Sequence, residues 1–223
     1  MPNSQLHTAV SIPRFDRYRH SCASLAKAIH LYRFNIKISQ QLYGIVGILE
    51  IVLRNSIDRH MSQQKGALWL ENAVDIGGYL EKSPDCAESF HSVQEAIHKL
   101  GITYAHDQLI AKLTFGFWIH QFASKEFMAS GSTLLQIFPF RPAGTKQKDI
   151  YKLLSKINIL RNRIAYYEPV CFDSNSIDLS LVKKRHVLIK QLLSWLGCNP
   201  QEILSEIDYL DSIIVEIETF PWH

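Results

Sequence analysis

The run Leu160-Arg161-Asn162-Arg163-Ile164-Ala165-Tyr166-Tyr167-Glu168-Pro169 sets an arginine and an asparagine inside an apolar helical pattern that stops at a proline. At about 100° per residue, Arg161 projects between Ile150, Leu154 and Ile157, on the face expected to dock into a core. Burying a guanidinium is expensive unless something pairs with it. A buried carboxylate or a subunit contact satisfies that demand structurally. A phosphate satisfies it functionally, because its oxygens match the guanidinium fork. Asn162 adds an amide that can orient a sugar or a neighbouring group. Tyr166 and Tyr167 close the run with phenols that donate to a phosphate, stack on a base, or simply pack on a neighbouring element.

Other residues of the same helix extend this pattern. Lys148, Lys152, Lys156 and Arg163 lie within about 80° of one another on the face opposite the core. Such a stripe is either a solvated face or, next to the Arg-Asn pair, a track for phosphates. Lys183-Lys184-Arg185-His186 with Lys190 forms a second basic cluster. Arg54-Asn55 is followed by His60, which projects with Leu42 and Leu53. His60 reads as a satisfied core histidine or, if its helix packs beside the Arg161 helix, as an imidazole for the same site. Phe115, Phe117 and Trp118 read as core. His91, His98, His106 and His120 lack metal-ligand spacing, so no metal and no cofactor are expected.

These residues are carried by a chain that reads as helix almost throughout. Pro13 opens a short helix over 14–20, and a second covers 21 to about 34. Ile38, Leu42, Ile45, Leu49, Val52 and Ile57 recur at helical spacing in a third, ended by Gly66. Residues 70–84, with Gly77-Gly78 and Ser83-Pro84, read as a loop. Helices follow over 85–100, 107–123, 145–166, from after Asp178 to 196, and 201–216. Pro139 and Pro142 make a connection, and residues 173–178 make a loop. The expected fold is all-α, a helical bundle with a small irregular insertion.

At 223 residues and 47% hydrophobic content the chain can bury a full core. The expectation is a single all-helical domain over 1–223 with a small irregular lobe at about 67–105. The four cysteines form no paired motif, which points away from a zinc site or a disulfide framework and toward reduced thiols in the cytoplasm. No export signal or membrane span is expected, because the longest apolar run, 43–53, is interrupted by Glu50. The net charge of +3 hides a segregation. Residues 1–66 and 141–190 carry nine and eleven Lys or Arg against three and four acidic residues, whereas 191–223 carry six acidic residues and no Lys or Arg. Basic blocks that meet in space attract anions; dispersed, they form an ordinary mixed surface.

The Arg161 run resembles LRNRIAHHEP, the signature of the Abi-like (abortive infection) branch of the HEPN superfamily. Leu113-Thr114-Phe115-Gly116-Phe117-Trp118 matches that family's LTFGFW, Ile137-Phe138-Pro139 its FP-containing connection, and Leu53-Arg54-Asn55 an early helical motif. The matches fall in the family's order over roughly residues 14–195. The resemblance implies a HEPN-like bundle and a cytoplasmic homodimer whose Arg-containing helices face one cleft. It implies RNA as target or antitoxin partner, in phage abortive infection, antiviral defence or toxin-antitoxin biology. It also implies a metal-independent endoribonuclease whose site would comprise Arg161, Asn162 and the residues at 166 and 167, with Lys148, Lys152, Lys156 and Arg163 binding RNA.

The departure is that both signature histidines are tyrosine here. Metal-independent cleavage needs a base for the 2′-OH, an acid for the leaving oxygen and cations for the phosphorane. A phenol has a reference pKa of about 10 against about 6.5 for imidazole. Cleavage is therefore expected to be attenuated or lost, while RNA binding can outlive it. The rival reading is a non-catalytic protein-interaction module in which Arg161 is structural and the tyrosines are interface anchors.

Overall fold

The computed structural model describes residues 9–174 and 176–222. The fold is all-α: among the described residues there are eleven α-helices, two 3-10 turns and one two-stranded hairpin. The helices are α1 (Ile12–His20), α2 (Leu25–Lys65), α3 (Trp69–Val74), α4 (Ala87–Leu100), α5 (His106–Lys112) and α6 (Phe115–His120). They continue with α7 (Ser124–Ala129), α8 (Gln147–Ala165), α9 (Ser180–Trp195), α10 (Pro200–Ile203) and α11 (Leu210–Thr219). Strands β1 (Phe172–Asp173) and β2 (Ser176–Ile177) pair antiparallel in the segment expected to be loop.

The chain divides into two compact units. The first comprises Met1–Gly47, Ile159–Ile189 and Gln201–His223, and the second Ile48–Asn158 and Lys190–Pro200. In the first, Phe34, Ile38, Leu42 and Ile45 of α2 are buried, as are Ile189 of α9 and Leu210, Ile214 and Ile217 of α11. Aromatic edge contacts reinforce it: Tyr18 meets Tyr32 and Phe172 at 5.3 and 5.2 Å between ring centroids. In the second, Leu53, Ile57 and Met61 of α2 are buried, as are Trp69, Val93, Leu109, Trp118 and the α8 residues Ile150, Leu154 and Ile157. Phe115, Phe117 and Trp118 are core, as their pattern suggested.

Three differences from the sequence reading have local causes. The two helices expected over 21–34 and 38–65 are one 41-residue helix, α2. At the expected junction Asn35 is buried, and Ser39 donates to its carbonyl within the helix at 2.8 Å. The helix expected over 107–123 is split, because Thr114 N-caps α6, accepting from the Phe117 amide at 3.3 Å. The last helix is likewise two, α10 and α11, separated by the turn at 204–209. By length and composition α2 is a helix apolar enough to cross a membrane, although 39% of its most apolar window is buried inside the protein.

Candidate functional site

Helix α8 ends in a Schellman turn, which explains how the run after Arg161 is shaped. The Glu168 amide donates to the Arg163 carbonyl at 2.8 Å and the Tyr167 amide to the Ile164 carbonyl at 3.0 Å. Tyr167 sits at the left-handed position of that turn, with φ 57. Pro169 prevents the helix from continuing. Arg163 holds the turn from outside: its guanidinium donates to the Pro169 carbonyl and faces Glu168 at 3.5 Å. The next residue, Val170, donates its amide to Asn35 Oδ1 of α2 at 2.7 Å. Placed on the basic stripe by helical projection, Arg163 thus acts here as a clamp.

Arg161 is half-buried and, among the described residues, makes no hydrogen bond or ion pair. No carboxylate among the described residues neutralises it. Asn162 is exposed. Tyr166 and Tyr167 are 70% and 65% exposed, so neither packs as a core aromatic within the chain. Tyr167 lines a groove of about 480 Å³ together with Ile164, Ala165 and the α2 residues Ile36, Ser39, Gln40 and Tyr43. The sequence reading missed this α2 wall. Its signal was the exposed pair Gln40 and Tyr43 interrupting an apolar helix at three-residue spacing.

The groove holds no histidine and no carboxylate, so its lining has no ordinary base for neutral pH. Nor is a thiol available nearby: burial pushes Cys171 up to about 12. What the groove presents is two phenols, one amide, one hydroxyl and apolar carbon. That composition suits recognition better than proton transfer.

The remaining candidates lie in the second unit. Lys148 and Lys152 are exposed and Lys156 half-exposed, and none of the three has a partner among the described residues. They follow one another at four-residue intervals along α8, about 6 Å apart by the helical rise. His60 is half-buried with Nε2 2.9 Å from Thr133 Oγ1, and burial holds its imidazole below the ordinary value. It is therefore a neutral, engaged histidine in a different unit from Arg161, Tyr166 and Tyr167. Arg54 Nε is buried and unpartnered.

Three histidine-carboxylate contacts were not foreseen. His106 lies between Asp58, 2.9 Å from Nε2, and Glu71, 2.8 Å from Nδ1. His120 Nδ1 is 3.2 Å from the buried Glu126, which also accepts from Ser89. In the first unit, His186 is 3% exposed with Nε2 2.6 Å from Asp208. Apart from the His120 pair, six residues apart, their partners are 22 to 48 residues away, so spacing in the sequence carried no trace of them. No grouping of three or more such side chains among the described residues has metal-binding geometry. Compared with models of known protein families, with curated proteins and with solved structures, the chain has no match.

Proposed function

We propose that the protein binds RNA as an Abi-like, HEPN-type defence protein of the abortive-infection or toxin-antitoxin kind, working in the cytoplasm as a homodimer. The observation that carries this reading is Arg161: a half-buried guanidinium without a carboxylate partner among the described residues, in the motif position that the family resemblance assigns to phosphate. Leaving a cation partly desolvated and unpaired is costly unless an anion completes it. The unpartnered Lys148, Lys152 and Lys156 earlier on α8 support a polyanionic ligand. Asn162, exposed beside Arg161, is placed by the same resemblance on the ribose or a neighbouring group.

In the cleaving members of this class the 2′-OH loses its proton, attacks the adjacent phosphorus and expels the 5′-oxygen, leaving a 2′,3′-cyclic phosphate. Arg161 would stabilise the charge on that phosphorane. Tyr166 and Tyr167 stand where imidazoles would move the protons, and the phenol is a weak base at neutral pH. The reading is therefore of an RNA binder whose cleavage is attenuated or lost.

The test uses purified protein with total RNA in EDTA, comparing wild type with Arg161→Ala and Tyr166→His. Wild type should bind with little or no cleavage, and Arg161→Ala should bind roughly tenfold more weakly, as expected for loss of a charge-assisted contact. Tyr166→His should gain cleavage that EDTA does not suppress. Absence of RNA binding by every variant would leave the exposed tyrosines as anchors for a protein partner and remove the RNA reading.

A further inference from the structure

The groove beside the α8 terminus has features that gripping a phosphate does not explain. Tyr167 occupies the left-handed position of a Schellman turn at φ 57, where glycine is the preferred residue and a Cβ is strained. The phenol held there is 65% exposed, makes no hydrogen bond among the described residues, and lines the groove. Packing of the ring within the chain therefore does not offset that strain. The α2 wall supplies a second such aromatic, Tyr43, which is 58% exposed.

The remaining lining narrows the occupant. Ile36, Ile164 and Ala165 are apolar, Gln40 offers a free amide, and Ser39 donates to the Asn35 carbonyl while its lone pairs stay open. No charged side chain lines the groove, so an anion or a charged peptide is not what it is built to hold. Cations stand outside it instead. Arg161 precedes Ile164 by three residues on α8, and Arg33 precedes Ile36 by three on α2, neither with an ion pair among the described residues. A neutral interior lined by two aromatic side chains, with an arginine one helical turn before the lining on each helix, matches a flat ring with polar edges carried on a polyanionic chain.

We propose that this groove seats an unpaired nucleobase of the bound RNA strand against the rings of Tyr43 and Tyr167, with Gln40 reading its edge and Arg161 taking the neighbouring phosphate. This rests on the RNA-binding reading above and specifies its substrate as single-stranded. A paired base cannot enter, because its faces are stacked and its edge is engaged.

The test is fluorescence anisotropy with a labelled 12-nucleotide single strand, the same strand annealed to its complement, and an abasic strand of equal length. Wild type should favour the single strand over the duplex by about tenfold or more, the scale of one base stacked on an aromatic ring. Tyr43→Ala and Tyr167→Gly should each lose about tenfold toward the single strand and nothing toward the abasic strand. Tyr167→Phe should keep the affinity. Tyr167→Gly should melt at or above the wild-type temperature because it relieves the left-handed strain, which separates lost stacking from lost folding. If wild type binds RNA while Tyr43→Ala and Tyr167→Gly bind the single strand unchanged, the base site is overturned and RNA binding stands. If wild type binds no RNA, both fall together.

Discussion

The Val170 amide donates to Asn35 Oδ1 at 2.7 Å across 135 residues of sequence, fastening the chain that leaves α8 to the middle of α2. Both residues are buried, Asn35 at 1% and Val170 at 0% exposure. The bond lies next to the groove, between the turn that carries Tyr167 and the α2 residues Ile36 and Ser39. It therefore sets the register in which two stretches of chain face each other.

Asn35→Leu leaves the buried Val170 amide without an acceptor, which costs about 1–3 kcal/mol. For a chain of this size that lowers the melting temperature by several degrees. Asn35→Asp keeps an acceptor and should lose less. Thermal melts of the two variants within half a degree of wild type would show that the bond does not hold this junction.

The three partnerless lysines of α8 and the clamped Arg163 should separate in their effects. Lys152→Glu with Lys156→Glu should weaken RNA binding and flatten its dependence on salt by roughly two phosphate contacts, with little change in stability. Arg163→Ala should instead cost about 1 kcal/mol of stability, because it frees the turn at Glu168 and Pro169. Binding curves at four salt concentrations decide the first point. A salt slope equal to the wild type's would mean that the lysines face solvent and nothing else.

His106 should make stability pH-dependent. Burial opposes its charge, yet the hydrogen bonds and fields of Asp58 and Glu71 outweigh burial, and its pKa is raised from the ordinary value. A raised folded pKa means that the stabilisation is complete below about 6.5, the unfolded value, and is lost as pH rises through the folded value. His106→Gln should therefore be less stable than wild type by about 1–3 kcal/mol near pH 6, and the gap should narrow toward alkaline pH. Chemical denaturation across this range would contradict the account if the gap were flat or widened with rising pH.

Gly78 should not tolerate any side chain. A Cβ there would stand 2.3 Å from the Asn72 carbonyl oxygen and 2.4 Å from that of Ala73. Those atoms are backbone, and the Ala73 carbonyl already accepts from the Leu80 and Glu81 amides at 2.9 and 3.3 Å. Gly78→Ala should cost about 2 kcal/mol or more, since the turn after α3 must shift. Gly77→Ala meets only the flexible end of Lys82 at 3.6 Å, although its φ of 83 adds its own strain. Soluble expression and melting of Gly78→Ala like wild type would refute the close approach.

The helical content, the buried faces of α2 and α8, the stop of α2 at Gly66 and the end of α8 before Pro169 were all legible, because each depends on residues within a turn or two. The break that was expected near residue 35 was not there. What satisfies the polar Asn35 inside that helix is not local, because the amide that does so belongs to Val170. Similarly, the hydrogen-bonding of His106 became visible only when Asp58 and Glu71 were brought to it.

Taken alone, the sequence determined which helix carries Arg161 and Asn162 and ends at Tyr166 and Tyr167, since helical period and proline chemistry act locally. Tertiary structure alone decided that Arg161 has no carboxylate partner among the described residues, that Arg163 is turned back onto Glu168 and Pro169, and that Tyr167 lines the same groove as Tyr43. Pairing, desolvation and the walls of a groove are set by distances between chain segments far apart in sequence, and no periodicity along the chain encodes those distances.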